Sequence, residues 1–150
     1  MVGWASKEVR RQVRQLMRPA MRARGFKQQG EFGWVRFDGD VETLVGYFVE
    51  RDEADLLDTL AVSVQTFVHD DSAPDGLSAA DLVRLEDLLA ADDHAAIQRY
   101  LTTYADGMVP ADPRSCVPIV PGHETEAVDV VMAPLLRHLD RVVGAPGQPL

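Results

Sequence analysis

The residues whose types could do chemistry are few. The histidines are His69, His94, His123 and His138, and the single cysteine is Cys116. No two histidines share a helix face at metal-ligand spacing, and no His-Glu-x-x-His stretch is present. His123 with Glu124 and Glu126 has ligand chemistry, but acids at that place suit a helix start. Asp92-Asp93-His94 pairs acid with base, yet the same residues favour a helix cap. Asp70, Asp71 and Asp75-Gly76 lack the alternating oxygen ligands of a calcium loop and read as a turn. Cys116 needs a base or a positive neighbour to become a nucleophile; Arg114 is near in sequence, but no histidine is adjacent. No catalytic residue, metal site or cofactor is assigned from these patterns. GFKQQGEFG holds three glycines between a helix and a strand. A dinucleotide site needs the opposite order, with the helix N-terminus meeting the pyrophosphate.

The elements that would position a site follow from apolar spacing. Over positions 5–24, Val9, Val13, Leu16, Met17 and Ala20 form one helical stripe. Lys7, Arg10, Arg11, Arg14, Arg18 and Arg22 fall on the opposite, solvated side. Pro19 predicts a kink or restart, and Gly25 a stop. Three strands follow, over Phe32–Asp38, Val41–Glu50 and Thr59–His69. Asp38-Gly39-Asp40 marks a hairpin between the first two. Ser78 reads as the cap of a helix carrying Leu82, Leu85, Leu88 and Leu89. Asp92 or Asp93 caps another, with Ile97, Leu101 and Tyr104, closed by Gly107. Residues 108–122 hold four prolines and read as a stiff loop. Thr125–Val143 is the last helix, and Pro134 should kink it. The expectation is one α+β domain over 1–143, with an N-terminal amphipathic helix, a three- to five-stranded antiparallel sheet and a helical C-terminal half. Residues 144–150 read as a disordered tail.

Strand alternation nominates a site. If the valine-rich face packs on helices, the other face carries Trp34, Arg36, Leu44, Phe48, Ser63, Gln65, Phe67 and His69. Trp34, Arg36, Phe48, Gln65 and His69 are the candidate ligand- or partner-binding residues, lining a groove.

PAMRARGFKQQGEFGWVR resembles the opening signature of a bacterial family, the domain of unknown function 4304. The matching positions are Pro19, Gly25, Phe26, Lys27, Gly30, Trp34 and Arg36. None is a catalytic group, so the resemblance implies a fold more than an activity. Some small bacterial domains of that kind accompany toxin systems as immunity proteins, which implies a protein partner.

Charge sharpens that expectation. The net charge is −9, with 26% charged and 46% hydrophobic residues. Residues 1–30 hold eight of the fifteen Lys and Arg against one acid, a formal +7, and the remainder carries −16. Such an acidic body repels phosphates, which argues against general nucleic-acid binding, and suits a basic protein partner. The alternatives are a small-molecule-binding protein or enzyme using the groove, and nucleic-acid binding through the basic N-terminal helix. No apolar run approaches the roughly 18 residues that span a bilayer. The opening residues lack an apolar signal core, and one cysteine fits a reducing compartment, so the expected location is the cytoplasm.

Overall fold

The computed structural model describes residues 6–52, 57–74, 76–106 and 115–143. α1 (Lys7–Ala23) starts at Ser6, whose Oγ accepts the Val9 N–H at 3.1 Å. Val13, Met17 and Met21, spaced by four, are its buried stripe. The helix runs through Pro19 to Ala23 without a restart. Gly25 then takes φ +80°, a conformation that costs little only without a Cβ. The Gly25 N–H donates to Arg22 O at 3.0 Å and the Phe26 N–H to Met21 O at 3.1 Å. This is a Schellman stop, and it delivers Phe26 into the core.

The sheet follows as a meander. β1 (Lys27–Gln28) pairs with β2 (Gly33–Asp38), β2 with β3 (Val41–Asp52), and β3 with β4 (Leu57–His69), all antiparallel. Asp38 faces Val41 across a two-residue turn, with Gly39 at φ +61°.

The next segment departs from the sequence expectation. Residues Leu77–Arg84 are not a helix capped by Ser78; they form β5, antiparallel to β4. Only α2 (Leu85–Leu88) is helical there, with Leu85 and Leu88 buried. The leucine spacing suited a helix, but β4 from Ser63 to His69 presents unpaired backbone groups on that side, and pairing them outweighs local preference.

α3 (Ala91–Tyr104) begins at Ala90, whose N–H donates to Asp93 Oδ2 at 2.7 Å. β6 (Val117–Ile119) lies inside the segment read as a loop and pairs with Asp58–Leu60 of β4. Pro118 is accommodated there because a short terminal strand needs few donors. α4 (Glu124–Val143) closes the chain, with Pro134 buried within it. The expected stop at Gly107, Asp75, residues 108–114 and the tail 144–150 lie outside the described residues.

The sheet order is β1-β2-β3-β4-β5, with β6 beside β4. The architecture is therefore α+β, with helices on one face of an antiparallel sheet. Trp34, Val45, Tyr47, Leu60, Val62 and Val64 join Met17, Met21, Val131, Leu135 and Leu139 in one core. Three polar ties hold its edges. Arg24 Nε donates to Asp140 Oδ1 at 2.8 Å, joining α1 to α4. Arg137 pairs with Asp93, joining α4 to α3. Tyr100 donates its hydroxyl to Pro118 O at 2.6 Å and accepts the Val120 N–H at 3.3 Å, joining α3 to β6.

Candidate functional site

Register decides which side chains share the face away from the helices. Cα partners point the same way, so Trp34 goes with Val45 and Val64, and Arg36 with Thr43. Trp34 is therefore on the core face and fully buried, not on the candidate groove. Arg36 is on that same face at the end of α1. Its Nε donates to both Asp38 oxygens, at 3.1 and 3.0 Å, and its Nη1 donates to Arg24 O at 2.5 Å. It caps the carbonyl that follows the last turn of α1. Alternation had been carried correctly along each strand but not across the two-residue hairpin, and a parity error of one exchanges the faces.

Phe48 and Gln65 do lie on the outer face. A row of paired positions runs across it, Gly33 to Gly46 to Ser63 to Arg84. Val35, Leu44, Gln65 and Leu82 form the row on one side; Phe48 and Ala61 stand on the other. From Gly33 to Ser63 the middle row is thus a trough with a floor of small residues, closed at one end by Arg84. A Cβ on Gly46 would sit 3.2 Å from Ser63 Oγ and 3.5 Å from Phe48 Cζ, so the Phe48 ring lies over the glycine. Gly33 is held closer still, since a Cβ there would meet Gln29 O at 2.9 Å. Among the described residues, three concavities border Phe48, and the two larger lie along the trough. A cavity of about 350 Å³ reaches the Gln29–Gly33 turn, and one of about 560 Å³ reaches Leu82 and Arg84.

Three large apolar side chains are unusually exposed on this face, Phe37 at 63%, Phe48 at 47% and Leu82 at 44%. His69 is on the face too, but at its far end. It lies eight residues along β4 from Ala61, the partner of Phe48, which is about 26 Å at ~3.3 Å per residue. Its Nε2 lies 2.9 Å from Glu42 Oε1, and because a carboxylate only accepts, the imidazole N–H donates. The structure thus brings Phe48 and Gln65 together and leaves Trp34, Arg36 and His69 apart from them.

Asp93 and His123 have structural partners. Asp93 binds Ala90 and Arg137, and the Arg137 hydrogen bond holds its carboxyl below the ordinary range. His123 stacks on Tyr104 at a centroid distance of 4.2 Å. Cys116 is half-buried beside β6. Among the described residues, no group of three or more His, Cys, Asp or Glu could hold a metal ion. No helix among them is long and apolar enough to cross a membrane.

Sequence reasoning missed Leu82 and Arg84, because their segment read as helix. It also missed Gly46, although a glycine inside a strand pattern signals a close approach. No protein-family model matches the chain, and searches of curated proteins and of solved structures return no match.

Proposed function

We propose that this protein is a non-enzymatic binding module whose outer sheet face docks a partner protein of net positive charge. The carrying observation is that Phe48 and Leu82 stand exposed on either side of the Gly33–Gly46–Ser63 trough, with Phe37 exposed farther along the same face. Apolar surface of this kind, rich in aromatics and poor in central charge, suits a protein interface. Its rim is balanced, with Lys27 and Arg84 against Glu42 and Glu50. The acid excess lies elsewhere, in a chain of net charge −9, and acts at long range to attract a basic partner. An immunity-type or regulatory role, and kinship with the domain of unknown function 4304, are part of this proposal and rest on the Pro19–Arg36 signature.

Affinity capture from the native host compares wild type with Phe48→Arg. The proposal expects one net-basic protein retained by wild type and lost with the variant, while the thermal midpoint stays within a few degrees. An identical captured set from both proteins, or no specific partner, sinks it. The trough supports a second reading, a small ligand in the cavity beside Phe48 that Gly33, Gly46 and Ser63 line. Ligands that raise the melting temperature of wild type but not of Gly46→Val would select that reading instead.

A further inference from the structure

Arg10, Arg14 and Arg18 occupy successive turns of α1, beside the buried stripe of Val13, Met17 and Met21. They are not on the solvated outer face expected for them. All three are half-buried, whereas Lys7, Arg11 and Arg22 are exposed. The Nε of each of the three is closed to solvent and has no hydrogen-bond partner among the described residues. Arg11 is turned aside, with Nε donating to Glu8 at 3.1 Å and Nη1 to Gln15 at 3.0 Å. The only carboxylate among the described residues within 4 Å of the three is that of Glu31, 3.8 Å from Arg10. Buried donors are almost always paired, and like charges one turn apart repel. The column is therefore short of anionic partners.

A cleft of about 460 Å³ lies alongside, bounded by Lys7, Arg10, Arg11, Arg14, Glu31 and Tyr47. Its wall is rigid. The buried Tyr47 donates its hydroxyl to Glu31 O at 2.5 Å, and Arg10 sits 6.0 Å over the Phe32 ring. Burial raises the Tyr47 phenol although Arg14 lowers it, so the ring stays neutral and leaves the arginines' charge uncompensated.

We propose that this cleft binds a phosphate-bearing small molecule. Guanidinium forks match phosphate oxygens in pairs, and Arg10 and Arg14 present two forks one helical turn apart. The cleft volume is that of a small-ligand site. The acidic remainder of the chain opposes a long polyanion laid along the surface. Glu31 is the competitor within the site, and its side chain, 58% exposed, can swing away when phosphate enters. The cleft adjoins the outer sheet face, since Glu31 also lines the cavity beside Phe48 and Arg10 shares a small cavity with Phe48. Arg14 lines the cleft and neither of those cavities, so the Arg14 variants test this proposal apart from the other.

Inorganic pyrophosphate is the probe, titrated against the full chain at constant ionic strength, with thermal midpoint and calorimetry as readouts. A saturable rise in melting temperature is expected, as for any ligand that binds only the folded state. Arg14→Ala should lose it, Arg14→Lys should weaken it, and Arg22→Ala should keep it. Glu31→Gln should bind about two- to fivefold tighter, the effect of removing one exposed charge partner. If Arg14→Ala does not fold, Arg14→Lys and Glu31→Gln carry the decision. Equal shifts from matched chloride, or binding unchanged in both variants, overturn the proposal. So does an oligonucleotide that binds through these arginines when pyrophosphate does not, since the phosphate source is then nucleic acid.

Discussion

Trp34 is fully enclosed on the helix-covered face, and Phe48 stands nearly half-exposed on the other. Truncation should separate their roles. Trp34→Ala leaves a large cavity and should cost about 3–5 kcal/mol in urea denaturation. Phe48→Ala should cost under about 1 kcal/mol, because little of its packing is lost, and should weaken partner capture. A Phe48→Ala loss as large as that of Trp34→Ala would mean that the ring is a core residue. At this scale Phe48 and Gln65 were legible from alternation alone. Trp34 and Arg36 were not, because their face depends on a hairpin register rather than on their neighbours in sequence.

α1 ends through backbone geometry, and that junction sets how the helix meets β1 and β2. Gly25 is at φ +80°, and a Cβ there would also come within 3.4 Å of Arg36 Nη1, the group that caps Arg24 O. Gly25→Ala should therefore destabilise by about 1–2 kcal/mol, seen as a lower chemical-denaturation midpoint with an unchanged slope. A neutral result would remove the strained stop from the account. The amphipathic helix and its glycine stop were legible because both depend on nearby residues. β5 was not. Its Ala79, Ala80 and Asp81 have no strong strand preference, and the segment becomes a strand because β4 offers it a ladder.

Over the whole molecule, acid should weaken the fold. Burial first, then the Arg141 cation, lowers the His138 imidazole, with Asp81 acting the other way. A histidine lowered on folding is protonated more readily in the unfolded chain. Stability therefore falls as pH drops below the ordinary histidine value of about 6.5. Asp93 is lowered by its Arg137 hydrogen bond, so its contribution is intact above the ordinary value of about 3.9 and is lost only as pH falls through the lowered one. The melting temperature should decline between pH 7 and 5, and His138→Gln should flatten that limb while leaving the steeper loss below pH 4. An unchanged slope in the variant would assign the limb to other groups.

Apolar periodicity and turn residues, read from the sequence alone, determined the α+β class, the helix–meander–helix order and the hairpin at Gly39, because these rest on interactions a few residues long. Tertiary structure decided the rest. Hairpin register placed Trp34 in the core and Phe48 outside, a vacant ladder made Leu77–Arg84 a strand, and packing on the sheet turned Arg10 and Arg14 from a solvated face into the wall of a cleft. Each outcome joins residues far apart in the chain, and a side chain's surroundings are set by what packs on it rather than by its own type.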